Sequence, residues 1–355
     1  MRVLITGAAG RMGAHLTRLL TSEGHEVRAF VLPDDPNNQH IDGPRVEVVP
    51  GRLEDADAVG RAVDGVDAIV ALAGALTSRL ASDQQFFDVN LGGTFNLLMA
   101  ARHRAPNLSR FIYASSDAVY WSPASAALPF LPIDETQARQ PGTIYGATKY
   151  GAEEMSLTFW RAYGIPATII RPTATTDAWE LIEPDSVFGR RLFVQGAIRF
   201  LESRPSLSSD EQGLLDALRE HDHGRERVFV QADMEGRLAT TNLGDARDTA
   251  QGLRLLLTHP AAVGEAFNIG PAAPYNEEEL AAHVANRLGM DYVVIRRPNV
   301  RASWYVSSAK ARGVLGYQPR YSVFDMVDEA VEAKRAGRAA GSPAPAGRVT
   351  RRDSR

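Results

Sequence analysis

The sequence predicts a doubly wound α/β protein: a parallel sheet with helices on both faces, followed by a smaller C-terminal lobe. Three observations carry this. Short β-branched runs alternate with helix-period segments from the N-terminus to residue 172. The first run, Arg2-Val3-Leu4-Ile5, leads through Thr6 into the glycine turn Gly7-Ala8-Ala9-Gly10-Arg11-Met12-Gly13 and then a helix. After Pro172 the alternation fades, and loop signals mix with separate helical stretches.

In chain order, Arg2–Ile5 reads as the first strand. Leu16, Leu19 and Leu20 fall at helical spacing over Gly13–Ser22, and Gly24 suits a helix end. Further strands are expected at Glu26–Leu32, Val46–Val49, Ala68–Leu72, Arg110–Ala114 and Ala167–Arg171. Helices fit between them at about Ala56–Val63, Asn90–Arg102 and Tyr145–Tyr163. Such alternation implies right-handed crossovers and a parallel sheet. Residues 1–172 are therefore expected to form the sheet domain, with later returns around 225–260. Residues 173–335 form the expected smaller lobe, with helices at about Arg190–Glu202, Asp210–Glu220, Asp245–Leu257 and Glu277–Leu288. Short strands in that stretch are Phe267–Ile269 and Tyr292–Ile295. The lobe is expected over the strand ends, where such sheets bind ligands. Residues 336–355 hold three Gly, two Pro and five Arg against one Asp, the composition of a disordered tail.

Composition narrows the class. The 355 residues allow one large domain or two smaller ones, with 44% apolar and 23% charged residues as in soluble globular proteins. There is no cysteine, so neither a disulfide nor a thiolate nucleophile exists, which fits a reducing compartment. A net charge of −4 gives no bulk attraction to nucleic acid or to an anionic membrane. No apolar run approaches the roughly 18 residues of a membrane span. The chain starts directly on a strand without a basic-then-apolar leader, so a cytoplasmic location is expected.

Gly7, Gly10 and Gly13 form GxxGxxG between a strand and a helix. Glycine permits the tight turn and the close approach of backbone to a pyrophosphate, and the helix N-terminus offers unpaired N–H groups to it. At the start of a βαβ pattern this is a dinucleotide cradle. Which dinucleotide is less direct. The second strand ends Phe30-Val31-Leu32-Pro33-Asp34-Asp35, and the position that usually carries a carboxylate for the ribose diol falls near the apolar Val31. Arg11 lies in the glycine loop and Arg52 follows the third strand. Either could meet a 2′-phosphate, which tilts the expectation from NAD toward NADP, with Asp34 and Asp35 opposing it.

Tyr145 and Lys149 are four apart and project from one helix face. A nearby ammonium favours phenolate, which would lower the tyrosine pKa toward working pH and suit it to proton transfer. Ser116 lies just past the strand Arg110–Ala114 and could hydrogen-bond a substrate oxygen.

With these residues in view, the sequence resembles the short-chain dehydrogenase/reductase superfamily, in its extended, NAD-dependent epimerase/dehydratase branch, over about residues 1–332. Thr6–Gly13 matches TGxxGxxG, Ala71-Leu72-Ala73-Gly74 resembles the strand-four motif, and Asn90-Leu91-Gly92-Gly93-Thr94 matches NxxGT. Ser115–Tyr120 matches SSxxVY, Tyr145–Lys149 matches YxxxK, and Arg171-Pro172 matches the RP after the following strand. Gly264–Gly270 and Lys310–Pro319 resemble two later segments. The resemblance implies a Rossmann fold, with Tyr145 as acid/base, Lys149 as its electrostatic partner and ribose ligand, and Ser116 as substrate orienter. The expected cofactor set is Gly7, Gly10, Arg11, Met12, Gly13, Leu53, Leu72, Ala73, Gly74 and Asn90, with Tyr145 and Lys149. Expected substrate contacts are Asp117, Trp121, Thr173 and Arg190.

Departures from the family pattern narrow the chemistry. Sugar-nucleotide dehydratases follow the Ser/Thr with Asp-Glu, whereas Asp117 is followed by Ala118. Epimerases usually have Asn after RP; here Thr173 stands there, and Trp121 replaces the family glycine after Val119-Tyr120. The leading expectation is an NAD(P)-dependent oxidoreductase acting on a hydroxyl/carbonyl pair of a small molecule. The alternative is a sugar or nucleotide-sugar epimerase with tightly held NAD. A non-catalytic dinucleotide sensor would be expected to lose the tyrosine or the lysine, and both are kept. His221-Asp222-His223 lacks a third ligand of suitable spacing, so no metal is expected. Phe95, Leu98, Met155 and Phe159 on two helices suggest a twofold homodimer.

Overall fold

Seven strands pair side by side, all parallel: β1 (Arg2–Thr6), β2 (Glu26–Val31), β3 (Val46–Pro50), β4 (Ala68–Ala71), β5 (Arg110–Ala114), β6 (Ala167–Pro172) and β7 (Ala266–Ile269). Their order across the sheet is β7-β6-β5-β4-β1-β2-β3. The structure is a computed structural model, and it describes residues 1–76, 81–120, 130–300 and 303–337. Trp121 and nearly all of the expected tail, from residue 338 on, lie outside the described residues.

The central strands are buried on both faces, which explains why they read as continuous apolar runs rather than as alternating ones. On one face, α1 (Arg11–Ser22) sends Leu16 and Leu20 against Val3, Ile5, Ala29 and Val70. The other face carries α2 (Ala56–Val63), α3 (Gly93–Arg104) and α4 (Ile144–Tyr163), which pack Val59, Val63, Leu97, Leu98 and Phe159 on Leu4, Ile69 and Phe111. Each such aliphatic side chain contributes roughly 1.5–3 kcal/mol by leaving water. A fifth helix, α5 (Ala246–Thr258), adds Leu253, Leu256 and Leu257 to the α1 face.

Element ends follow from local chemistry. The Asp55 side chain caps α2 at Asp57 and Ala58, and Thr143 caps α4 at Gly146. Gly164, at φ 74°, closes α4 in the left-handed conformation that glycine adopts without strain. The helix expected over Asn90–Arg102 is two elements, a π-helical turn at Phe86–Gly92 followed by α3. A Cβ at Gly93 would lie 2.6 Å from that of Leu53, so α3 closes down on Leu53 at this point.

Two compact units account for the described residues. The sheet unit takes Met1–Thr176, Ala239–Asn276 and Arg301–Ser322. It regains the chain at Ala239–Asn276, where β7 finds its partner in β6. The second unit takes Asp177–Leu238, Glu277–Val300 and the described residues from Val323 on. It pairs Val228–Ala232 with Tyr292–Arg296 in parallel. Its core joins Val194, Leu201, Leu215, Leu218, Phe229 and Ile295.

Candidate active site

The glycine turn is built almost wholly from backbone. Gly7 has φ 68°, and a Cβ there would stand 2.9 Å from the backbone of Ala73, in the loop that follows β4. A Cβ at Gly13 would stand 2.4 Å from the Gly7 carbonyl oxygen. Only glycine fits either place. Gly10 begins α1 with no side-chain cap, so the first helical turn keeps its N–H groups for another acceptor. The Thr6 hydroxyl accepts the Ala73 N–H at 3.1 Å and ties the two loops together. Met12 and Leu72 pack partly buried against the core, and Leu53 is buried while its carbonyl accepts from Asn96.

Asn90 sits at 1% exposure, and its Oδ1 accepts the Ala75 N–H at 2.8 Å. Its Nδ2 lies 3.3 Å from Thr148 Oγ1 on α4. A Cβ at Gly74 would lie 2.9 Å from Asn90 Oδ1 and 3.8 Å from Lys149 Nζ. The loop after β4, the π-helical turn and α4 therefore meet at one point.

Ser116, Tyr145 and Lys149 come together there. The Ser116 hydroxyl lies beside that of Tyr145. Burial pushes Tyr145 up to about 12; Ser116 opposes that rise, and the Asp117 charge adds to it. Lys149 is 5% exposed, and burial pushes it down to about 8 despite the opposing Glu153 carboxylate. Its Nζ donates to the Ala114 carbonyl and lies 4.6 Å from the Tyr113 ring centroid. The expected lowering of Tyr145 by Lys149 is thus corrected: burial dominates and raises it, and the ammonium is engaged on β5.

Asp117 binds inward. Its Oδ1 accepts from Ser116 at 3.1 Å, and its Oδ2 accepts from the Trp304 indole at 3.1 Å. Thr173 is buried, with Gly244 and Gly270 close against it. Arg190 belongs to the second unit, where its guanidinium lies 3.7 Å from the Phe200 ring centroid. Arg11 Nη1 lies 3.5 Å from the Thr175 carbonyl, just past β6, whereas the end of β2 lies on the other side of β1. Asp35 accepts from Asn37 N and Nδ2 and so caps its own turn, while Asp34 is exposed.

One group escaped the sequence reading. Glu153, one turn beyond Lys149, is fully buried and grips Arg171 through two bonds of 2.9 and 2.7 Å. Arg171 also donates to Tyr120 at 2.6 Å, and Tyr120 donates to Asn268 at 2.9 Å. Burial opposes the charge on Arg171, but the carboxylate more than offsets it and holds the guanidinium firmly ionised. The signal was available: a glutamate four residues past the lysine shares its helix face. Among the described residues no group of His, Cys, Asp or Glu could hold a metal, and no helix is long and apolar enough to cross a membrane.

Comparison with known proteins agrees with this geometry. The model of the NAD dependent epimerase/dehydratase family matches residues 3–204. A 3 beta-hydroxysteroid dehydrogenase/Delta 5-->4-isomerase of Mycobacterium tuberculosis is 28% identical, over 92% of this chain and 89% of that one. A ketoreductase of Stigmatella aurantiaca, named for a farnesyl dihydroquinoline oxide, is 28% identical over 96% of this chain and 98% of its own. A crystal structure of a short-chain dehydrogenase/reductase superfamily protein from Agrobacterium tumefaciens, with bound NAD, superposes with a TM-score of 0.85. It is 30% identical and covers 95% of this chain and 98% of that one. The chain belongs to the NAD dependent epimerase/dehydratase family, among the extended short-chain dehydrogenase/reductase enzymes.

Proposed function

We propose that the protein is an NAD-dependent oxidoreductase interconverting a hydroxyl and a carbonyl on a small molecule, with Tyr145 as the proton-transfer residue. The observation that carries this reading is Ser116 beside the Tyr145 hydroxyl, with Lys149 one turn further along the same helix and close to Gly74 in the loop that also buttresses the glycine turn. The turn suits a dinucleotide: no Cβ fits at Gly7 or Gly13, and the first turn of α1 has no side-chain cap. Gly7, Gly10, Met12 and Gly13 would hold the pyrophosphate, with Leu53, Leu72, Ala73 and Gly74 around the rest. When bound, the nicotinamide supplies the acceptor or donor of hydride.

The chain's own part is proton handling and alignment. Tyr145 gives its proton to a carbonyl oxygen during reduction, or takes one from an alcohol during oxidation. Lys149 places a cation beneath that exchange. Asn90 fixes the loop after β4 against α4, which keeps the two halves in register. Dehydration is disfavoured because Ala118 stands where a glutamate base would be needed. The relatives' names cover a sterol and a terpenoid quinoline, so secondary alcohols on fused, apolar rings are the first substrates to try.

NAD rather than NADP fits the placement of charge. Arg11 reaches Thr175, so no cation from the glycine loop is placed at the end of β2, and the exposed Asp34 there would repel a 2′-phosphate. A homodimer belongs to the same reading. Phe95 and Tyr163 are 46% and 50% exposed on α3 and α4, whereas Leu98 and Phe159 face their own sheet. Sedimentation should give a dimer mass; a monomer at every concentration would remove this part.

The deciding experiment is mass spectrometry of the denatured protein for co-purified NAD, followed by absorbance at 340 nm with NAD and a panel of secondary alcohols. Released NADH with little resident NAD supports the oxidoreductase. Resident NAD without net NADH formation would replace it with the epimerase.

A further inference from the structure

Arg171 joins the two elements that carry the proposed proton-transfer residues. It stands on β6 at 3% exposure. Toward α4, its Nε and Nη2 donate to the two carboxylate oxygens of Glu153 at 2.9 and 2.7 Å. Tyr145, Lys149 and Glu153 follow one another at intervals of four residues, so they share one face of that helix. On its other side, Arg171 Nη1 donates to the Tyr120 hydroxyl at 2.6 Å. Tyr120 ends the 3-10 turn Asp117–Val119, which Ser116 begins. The near end of that turn hangs on the sheet, where the Ser115 N–H donates to the Ile170 carbonyl at 2.8 Å. Its far end is fastened through Tyr120. The turn and α4 are in close contact: a Cβ at Gly146, next to Tyr145, would lie 2.8 Å from the Ala118 carbonyl oxygen.

Each bond in this chain has a fixed direction. The Ile133 carbonyl can only accept, so Asn268 turns its Nδ2 there, at 3.4 Å, and its Oδ1 to Tyr120. The Tyr120 hydroxyl therefore donates to Asn268, at 2.9 Å, and accepts from Arg171, which can only donate. Burial pushes Tyr120 up to about 12, so it keeps the proton it donates. The Asn268 backbone N–H is in turn held by the Glu135 carboxylate at 2.6 Å. Tyr120, Asn268 and Glu153 are at most 2% exposed, so a partner lost here leaves its neighbour unsatisfied.

We propose that Arg171 is a positioning residue of the reaction: clamped between Glu153 and Tyr120, it keeps the Tyr145–Lys149 face of α4 in register with the turn that begins at Ser116. This rests on the oxidoreductase reading and adds to it a residue that acts through Glu153 and Tyr120. Loss of register slows the chemical step and leaves ground-state binding nearly intact, because misplacing reacting groups by about 1 Å can cost about 100-fold in rate. The glycine turn lies outside this chain of bonds, so cofactor affinity does not follow.

Tyr120→Phe is the sharpest variant, since it removes one oxygen and keeps a ring packed among Val119, Ile133, Trp304 and Val306. Two measurements on the full-length protein read it. The first, amide hydrogen exchange, needs no substrate. The N–H groups of positions 119 and 120 donate to the Ser116 and Asp117 carbonyls at 3.3 and 3.0 Å. They should exchange at least about tenfold faster than in the wild type, and by a larger factor than Leu4 and Ile69, which report the stability of the whole sheet. The second is turnover, by absorbance at 340 nm with an alcohol that the wild type oxidises. There kcat should fall at least about tenfold, with KM and NAD affinity within about twofold. Asn268→Ala is the second variant should Tyr120→Phe fail to fold. It frees Tyr120 from one side only, so both effects should run in the same direction and be smaller.

Exchange at positions 119 and 120 that is unchanged in a folded variant, or changed only as much as in the sheet, would overturn the proposal. So would faster exchange with unchanged kcat, or a loss carried by KM or NAD affinity rather than by kcat. Failure of the underlying oxidoreductase reading has a different signature: no alcohol yields NADH with the wild type, or Tyr145→Phe turns over like the wild type, while the exchange still reads the Arg171 clamp.

Discussion

The glycine turn and the Ser116–Tyr145 centre are built in opposite ways. The turn uses one stretch of seven residues, Gly7–Gly13, and works through backbone: a left-handed Gly7, a carbonyl pressed where a Cβ would be, and an uncapped helix start. The proposed proton-transfer centre has no such stretch. It draws Ser116 and Asp117 from the end of β5, Tyr145 and Lys149 from α4, Asn90 from a π-helical turn, and Trp304 from 187 residues beyond Asp117. The difference teaches where robustness lies. A backbone-built site fails through a single added methyl, whereas a side-chain-built site depends on the pairing that holds its frame.

The largest effect should come from that frame. Glu153→Gln leaves the Arg171 guanidinium buried at 3% exposure without a charged partner, at a cost of about 3–5 kcal/mol. Thermal and urea unfolding would check it. A loss under about 1 kcal/mol would mean that the pair does not support α4. Next comes Gly13→Ala. The added Cβ would fall 2.4 Å from the Gly7 carbonyl oxygen, and relieving it should cost about 3 kcal/mol and destroy NAD binding, read by quenching of tryptophan fluorescence. Retained NAD affinity would show that the turn is looser than its contacts imply.

Lys149 separates the two regions by pH. Its folded value near 8 lies below the ordinary 10.5, so the unfolded chain binds the extra proton between those limits. Stability should therefore rise with pH from 8 to 10.5, by up to about 3 kcal/mol for this group. In Lys149→Met this part of the rise should vanish, measured by denaturant titration at pH 7.5, 9 and 10.5 (about one titration step apart). A variant with the wild-type slope would contradict the shift. The smallest effect belongs to Arg11→Ala, which should change the affinities for NAD and NADP together and by less than about threefold, because Arg11 faces Thr175. A selective loss of NADP would return Arg11 to the end of β2.

The same contrast explains what could be read from the sequence. The strands, the glycine turn and the YxxxK helix face are local patterns, and β1, α2, β5 and α4 occupy nearly the expected residues. The matched motifs also identified the family before any contact was known. The environment of Tyr145 could not be read in this way. Its proton affinity is raised chiefly by burial, which has no sequence spacing. Arg11 shows a related limit: position in the loop does not fix which way a long side chain leaves it, and here its Nη1 lies 3.5 Å from the Thr175 carbonyl. Glu153 could have been found, since it lies one turn beyond Lys149, but its partner Arg171 comes from the next strand.

The central claim is that the cofactor cradle and the proton-transfer centre are adjacent but separable. Its most direct test is Tyr145→Phe, assayed for NAD affinity by fluorescence and for NADH formation at 340 nm with an alcohol that the wild type oxidises. The account predicts an NAD affinity within about twofold of wild type and a loss of turnover of at least about 100-fold, the usual worth of a positioned acid or base. Wild-type turnover in the phenylalanine variant would contradict it.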